Sequence, residues 1–426
     1  MDPLAYLFGL EQFGIKFGLD NIRAILARLG HPELAFRTIH VAGTNGKGSV
    51  TAMTDACLRA AGHRSGRYTS PHLVDVCERF AVDGVPVSRE ALASVVAAIR
   101  DAVAELRASG ALLAEPTFFE VTTAAAFELF RRAGIEVAVV EVGLGGRLDA
   151  TNVIRPLVTA ITSIAFDHEQ YLGRTLADIA VEKGGIVKPG VPVVVGALPR
   201  EADAVIAGIA ADRGAPFVRA CDGASVERSG ERGIRLRTPD CDYGSMPFAL
   251  EGEHQLQNAL VAVRMLELAG RAGLSAPPAA VAAGLGQVAW PGRLDWRRLP
   301  DGREALLDAA HNAEGAAALA GYLGARGIRC PLVFAAMRDK DARAMLGALA
   351  PHATALVLTQ PPTARAADPA ELAQLARTIA PELPAVVELV PRDALRAAWR
   401  LSPTIVVAGS IFLLGDVLPA IESGRP

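Results

Sequence analysis

The sequence predicts an α/β protein built as two successive domains of largely parallel sheet covered by helices. Three observations lead there. Runs rich in β-branched and aliphatic residues alternate with stretches of helical periodicity along most of the 426 residues. One such run turns into a helix through the glycine-rich stretch His40-Val-Ala-Gly-Thr-Asn-Gly-Lys-Gly-Ser-Val50. After Trp290-Pro-Gly-Arg-Leu-Asp295 the alternation starts again, and the length is enough for about two to three domains.

In the first domain Arg37–Ala42, Val137–Val142, Val158–Ile164 and Pro192–Val195 read as buried strands. Between them Val50–Ala61, Ser88–Arg107, Phe119–Ala133 and Leu176–Lys183 read as helices, with Ser88 an N-cap and Gly62 and Gly134 C-terminal stops. Residues 217–250 read as a small β excursion before a helix Glu253–Leu268. The uncharged stretch 272–292 has the length of a membrane span, but Pro277, Pro278, Pro291 and several glycines interrupt it, so it reads as a surface turn and linker. Strands Ala305–Leu307, Leu332–Ala335, Ala355–Leu358, Val387–Val390 and Ile405–Ala408 then alternate with helices, the first of them Ala313–Ala325. The expected organisation is a domain over 1–292, a linker over 293–300 and a domain over 301–426.

A formal charge of −3 leaves no basic footprint for nucleic acid and no acidic tail, which points to small-molecule work. Five scattered cysteines suit a reduced compartment better than a disulfide framework. The opening Met-Asp-Pro-Leu-Ala-Tyr lacks a basic export signal, so the expectation is a cytoplasmic protein with no membrane partner. Lysine is rare, at 16, 47, 183, 188 and 340 only, so a lysine here is more apt than usual to be needed for its amine.

Gly43-Thr44-Asn45-Gly46-Lys47-Gly48-Ser49 looks made to hold phosphates. Its glycines let amide N–H groups converge, a helix N-terminus adds its dipole, Lys47 neutralises charge and Ser49 reaches a metal. Gly48 separates the lysine from the hydroxyl, unlike the commonest phosphate-loop spacing. Glu120 and His168 are suitable groups for Mg²⁺, or equally Mn²⁺, when phosphates complete the shell; alone, each reads more simply as a structural or surface group. Glu141-Val-Gly-Leu-Gly-Gly-Arg-Leu-Asp-Ala-Thr-Asn152 puts glycines at a strand's carboxyl end, where open α/β sheets place their sites. Lys183 sits at a helix end, where an amine commonly serves the helix dipole. Gln255, Asn258 and Asp308-Ala-Ala-His311-Asn312 could read a base and ribose or simply cap helices.

Taken in order with Thr69-Ser70-Pro-His-Leu73, Thr117–Glu120, Trp290–Arg293 and Met337-Arg-Asp-Lys-Asp341, these motifs resemble the folylpolyglutamate synthase/dihydrofolate synthase family of Mur-type ligases. The resemblance runs nearly end to end. It implies a P-loop ATPase domain of Mur-ligase type followed by a Rossmann-like domain, in a monomer. It also implies a reaction: ATP phosphorylates a carboxylate of dihydropteroate or tetrahydrofolate, and the amine of L-glutamate displaces the phosphate. Carried over residue by residue, Lys47, Lys183, His168 and Arg293 are catalytic. Gly43 through Ser49, Gln255, Asn258, Arg293, Asp308 and His311 surround ATP. Ser49, Ser70, Glu120, His168 and a carbamylated Lys183 hold two Mg²⁺ ions, and Phe118, Asp149 and Ala150 lie near the pterin. Gly184-Gly185 stands where the family usually has Ala-Gly, and Ala309-Ala310 where Gly-Ala is usual.

Two other readings compete. A peptidoglycan-precursor ligase shares the P-loop and the lysine, but the 42 residues ahead of Gly43 are too few for its usual sugar-nucleotide domain. A P-loop switch ATPase has no need of Asp308 and His311. Inside the family, the loop Gly145–Asn152 favours both activities over either one alone.

Overall fold

The computed structural model describes residues 2–424 apart from 15, 17 and 231. It divides into two compact units. The first takes in the chain up to His72, Val76–Ala249 and Leu256–Val288; the second takes in Leu73–Asp75, Leu250–Gln255 and the chain from Ala289 onward.

The first unit is organised by strands β1 (Arg37–Ala42), β2 (Ser65–Tyr68), β3 (Phe80–Val82), β4 (Val85–Pro86), β5 (Val137–Glu141), β6 (Val158–Ile161), β7 (Val193–Val195) and β8 (Phe217–Arg219). They lie in the order β4-β3-β2-β5-β1-β6-β7-β8, parallel except at the β2-β3-β4 edge. The central strands are apolar throughout because both faces are covered: Ile39, Val41, Val137 and Val139 have no exposed surface. Since β1 lies between β5 and β6 with all three parallel, the loops after Ala42, Glu141 and Ile161 open at one edge. Three motifs far apart in sequence are thereby brought to one carboxyl edge.

Ser88 caps Arg89–Ala108 by accepting from Ala91 N, and Gly134 ends Phe118–Ala133 in the left-handed region. The expected linker over 272–292 is corrected: Pro278–Gln287 is a helix whose Ala280, Val281 and Leu285 are buried, and the Cys57 thiol donates to the Val281 carbonyl. Pro278 begins this helix at a position where no amide hydrogen is wanted, so the proline that looked like a breaker is an initiator. Residues 225–247 form a separate antiparallel sheet of β9 (Ser225–Arg228), β10 (Gly233–Arg237) and β11 (Asp242–Pro247).

The second unit holds β12 (Asp295–Arg298), β13 (Glu304–Asp308), β14 (Cys330–Phe334), β15 (Ala353–Leu358), β16 (Ala385–Val387) and β17 (Thr404–Ala408), ordered β12-β13-β17-β14-β15-β16. All neighbours are parallel except β12-β13. Residues 293–300 are therefore not a bare linker. Asp-Trp-Arg-Arg pairs with β13 as an edge strand, too short and too charged to announce itself in the sequence. The strand expected at Val387–Val390 ends at Val387, because Val390 is the N-cap of Pro391–Leu401.

Candidate active site

The turn after β1 is fixed by backbone and hydroxyl contacts to the segment after β6. Thr44 N donates to Ser163 O at 2.8 Å, Asn45 N to Ser163 Oγ at 3.0 Å, and Thr162 Oγ1 to Asn45 O at 2.5 Å. Gly46 is the left-handed N-cap of the helix Lys47–Ala60 at φ 84°, and a Cβ there would lie 2.4 Å from Asn258 Oδ1. Glycine is thus required on two grounds, conformation and the approach of Asn258. Ser49 is buried in the first helical turn.

Two amines meet at one oxygen. Lys47 Nζ donates to the Gly43 carbonyl at 3.0 Å and to Thr44 O at 3.0 Å, and Lys183 Nζ, 140 residues away in sequence, donates to the same Gly43 carbonyl at 2.9 Å. Burial, and secondarily repulsion from Lys47, push the Lys183 amine down to about 7, with Asp167 and Asp149 acting the other way. Concentrated positive charge in a dry loop suits a polyphosphate, and a depressed pKa makes the neutral, nucleophilic amine accessible near pH 7.

The segment carrying Lys183 is clamped. Arg147 N donates to Glu182 O at 2.8 Å and its guanidinium pairs with Glu182 Oε1 at 2.8 Å. Asn152 Nδ2 donates to Arg147 O at 3.0 Å and Gly185 O at 3.3 Å, while Lys188 Nζ holds Asn152 in turn. Arg213 donates to the carbonyls of Gly185 and Val187. A Cβ on Gly185 would lie 2.3 Å from Arg147 Cα, so the chains touch backbone to backbone. At Gly184 the space of the usual methyl is taken by the tips of Ile206 and Ile209.

Glu120 is buried and closes a capping box: its Oε2 accepts from Thr117 N at 2.7 Å and Thr117 Oγ1 at 2.9 Å. Ser70 N donates to Glu141 Oε2 at 3.3 Å. Sequence reasoning passed over Glu141 as a site residue; its signal was a carboxylate ending a strand of otherwise apolar residues, where it is 4% exposed. His168 has left-handed backbone at φ 51° and begins Glu169–Leu172, with Nε2 3.9 Å from Asp167 Oδ1. Among the described residues no three His, Cys, Asp or Glu side chains converge as a metal cage. Isolated oxygen donors with one imidazole fit a hard cation that brings phosphate and water as its remaining ligands, and do not fit a closed structural site.

Phe118 is half-buried, with the Arg79 guanidinium 5.1 Å above its ring and Phe8 stacked at 6.2 Å. Asp149 spends both oxygens on its own loop: Oδ2 accepts from Leu144 N at 2.8 Å, and Oδ1 from Thr151 N at 3.0 Å and Thr151 Oγ1 at 2.5 Å. Burial raises its carboxyl, and these hydrogen bonds oppose the rise. Ala150 follows in the same short helical turn. Beneath the loop, His40 Nε2 meets Thr151 Oγ1 at 2.9 Å; burial, then Lys188, push this imidazole down to about 3.

In the second unit Asp308 ends β13, and its two oxygens accept from Leu294 N at 2.8 Å and Ala310 N at 2.9 Å. Arg293 is half-buried and donates to Gly292 O at 3.0 Å. His311 Nδ1 meets Ala309 O at 2.8 Å, Asn312 caps Ala313–Ala325, and Gln255 is buried near the start of His254–Arg271. Among the described residues no helix is long and apolar enough to cross a membrane.

Residues 292–411 match the family model for the glutamate ligase domain of Mur ligases. The dihydrofolate synthase/folylpolyglutamate synthase of Bacillus subtilis is 37% identical over 354 residues, which are 81% of each chain. The structure of the folylpolyglutamate synthase of Mycobacterium tuberculosis, complexed with ADP and AMPPCP, is 34% identical with a TM-score of 0.89 and covers 99% of both chains. That of the bifunctional folylpolyglutamate synthase/dihydrofolate synthase of Yersinia pestis, complexed with AMPPNP and Mn ion, is 28% identical with a TM-score of 0.85, covering 98% of this chain and 97% of that one.

Proposed function

The chain belongs to the dihydrofolate synthase/folylpolyglutamate synthase family of Mur-type ligases, which ligate L-glutamate in an ATP-dependent reaction, and we propose that it serves both dihydropteroate and reduced folates through an acyl phosphate. The observation that carries the mechanism is the meeting of Lys47 and Lys183 on the Gly43 carbonyl. Lys47 supplies a cation for the phosphates, and the buried Lys183 amine beside it, pushed down to about 7, is neutral often enough to take up carbon dioxide as a carbamate.

A carboxylate oxygen leaves poorly and phosphate leaves well, so the γ-phosphoryl passes to the acceptor's carboxylate and ADP departs. The amine of L-glutamate then attacks the acyl carbon, losing a proton as the C–N bond forms and phosphate leaves. Positioning and charge neutralisation do most of the remaining work. Gly43 through Ser49 cradle the phosphates, helped by Lys47 and by Asn258 beside Gly46. Gln255, Arg293, Asp308 and His311 bind the nucleotide. Arg293's planar fork suits the γ-phosphate and the acyl phosphate.

Ser49, Ser70 and Glu120 would hold one Mg²⁺, and His168 with carbamylated Lys183 a second. When bound, magnesium, or manganese in its place, neutralises charge on the transferring phosphoryl group. Phe118, Asp149 and Ala150 face the pterin, Asp149 by shaping the loop. The protein acts as a cytoplasmic monomer.

The test is ADP release with ATP, Mg²⁺ and L-glutamate, run with dihydropteroate, with tetrahydrofolate and with no acceptor. Turnover with both acceptors supports the bifunctional reading, and turnover with one restricts the enzyme to that step. Equal ADP release without acceptor overturns the ligase mechanism in favour of a switch ATPase.

A further inference from the structure

His40 lies at the centre of β1, between Val140 of β5 and Thr159 of β6, and is completely buried. Its strand neighbours Ile39, Val41 and Ala42 are equally buried and apolar, so packing alone has no need of an imidazole there. Among the described residues its Nδ1 has no hydrogen-bond partner. A buried polar atom without a partner lowers stability, and a fold that keeps one calls for a reason.

The reason is at the other ring nitrogen. His40 Nε2 stands 2.9 Å from Thr151 Oγ1, and the Thr151 hydroxyl donates to Asp149 Oδ1 at 2.5 Å. The only hydroxyl hydrogen of Thr151 goes to Asp149, so Thr151 accepts and His40 donates from Nε2. Burial, and then Lys188, push the ring down to about 3, which keeps it neutral. Asp149 in turn accepts from Thr151 N at 3.0 Å and from Leu144 N at 2.8 Å. A chain of donors thus runs from a rigid central strand into the turn Ala150–Val153. Thr151 has no exposed surface, so solvent does not supply the donor in place of His40.

We propose that His40 is a positioning residue for the acceptor: through Thr151 it fixes the turn that presents Asp149 and Ala150, so the loop has its binding shape before a pteridine arrives. The proposal rests on the reading that Asp149 and Ala150 face the pterin. A loop that holds this shape only part of the time binds more weakly in proportion to the time lost. Loss of one neutral hydrogen bond sets that weakening at about 3- to 10-fold. Asn152, the next residue, is held separately by Lys188 at 2.8 Å and 2.7 Å and keeps its own bond to Gly185 O, so the segment carrying Lys183 stays in place.

Steady-state kinetics on the full chain test it, with kcat and the KM for dihydropteroate and for ATP measured on His40→Leu, Thr151→Val, the double variant and His40→Gln. His40→Leu fills the space without a donor; its KM for dihydropteroate rises about 3- to 10-fold, while kcat and the KM for ATP stay within about twofold. Thr151→Val raises the same KM at least as much, and the double variant adds nothing to Thr151→Val, because His40 reaches the loop only through that hydroxyl. Glutamine places an amide N–H close to the position of Nε2, so His40→Gln keeps the dihydropteroate KM within about twofold of wild type. A rise confined to Thr151→Val, losses that multiply in the double variant, or a glutamine variant as weak as the leucine one overturns the role of His40 while leaving the loop's contact with the pterin intact. An unchanged dihydropteroate KM in Thr151→Val overturns that contact and the proposal together. A residue that only supports the core lowers the thermal midpoint of His40→Leu and raises the KM for ATP as much as that for dihydropteroate, and that result also overturns the proposal.

Discussion

Replacing Gly185 by alanine should do far more harm than replacing Gly184, although the two are adjacent at the end of one helix. At Gly185 the new Cβ would lie 2.3 Å from both Cα and Cβ of Arg147 and 2.7 Å from its N, where ordinary contact begins near 3.4 Å. The backbones must part by about 1 Å, since neither can rotate away, and overpacking of this kind costs about 1–3 kcal/mol. The movement also breaks the bonds from Arg147 N to Glu182 O and from Asn152 Nδ2 to Gly185 O, each worth about 1 kcal/mol. The total is about 3–5 kcal/mol of stability by the same scales. The helix end that moves carries Lys183, and misplacing a catalytic group by 1 Å costs on the order of 100-fold in turnover. At Gly184 the new methyl meets only Ile209 Cδ1 at 2.6 Å and Ile206 Cδ1 at 3.0 Å, chain ends that can turn aside. There alanine recovers about 1 kcal/mol of helix propensity, so the net change stays within about 1 kcal/mol. Urea unfolding and ADP release on the two variants decide the matter. A Gly185→Ala protein as stable and active as wild type would refute the backbone-contact argument, as would a Gly184→Ala protein that is the worse of the pair.

Lys183→Ala should lower glutamate-dependent ADP release by about 100-fold or more; normal turnover would remove Lys183 from the mechanism. His40 titrates at about 3 in the folded protein against an ordinary value near 6.5, so between those values the unfolded chain binds a proton that the native state refuses. Stability is therefore fully present above pH 6.5 and is lost as pH falls, by about 2 kcal/mol at pH 5. Unfolding free energies from pH 7 to 4.5 should show this slope in the wild type and lose it in His40→Gln; parallel curves would contradict it. Phe118→Ala should raise the KM for dihydropteroate about 3- to 10-fold while leaving that for ATP unchanged, since a stacking contact contributes about 0.5–1.5 kcal/mol. An unchanged dihydropteroate KM would take the pterin away from this ring.

The strand-turn-helix around Gly43–Ser49 was legible because every signal for it is local: an apolar run, glycines, then helical periodicity. The same is true of the capped helices Arg89–Ala108 and Phe118–Ala133. The convergence of Lys183 on Gly43 was not legible from spacing, because it depends on β1 lying between β5 and β6. Only the family resemblance put Lys183 in the site. Pro278 misled because a proline that starts a helix looks the same in sequence as one that ends it. Asp295–Arg298 was missed because an edge strand needs only one apolar face, and its alternation of four residues is too short to detect. Asp308 read equally as a ligand for ribose or base and as a helix cap, and the two backbone amides its oxygens accept from are contacts that no sequence pattern reveals.

The sharing of one carbonyl by two amines also sets an order of events during synthesis. The phosphate loop leaves the ribosome 140 residues ahead of Lys183, an interval on the order of ten seconds at typical translation speeds. For that time a nascent chain has the cradle without its second amine, and a chain cut short before residue 183 keeps that condition permanently. An incomplete copy of the chain therefore has one amine for the Gly43 carbonyl where the finished fold has two.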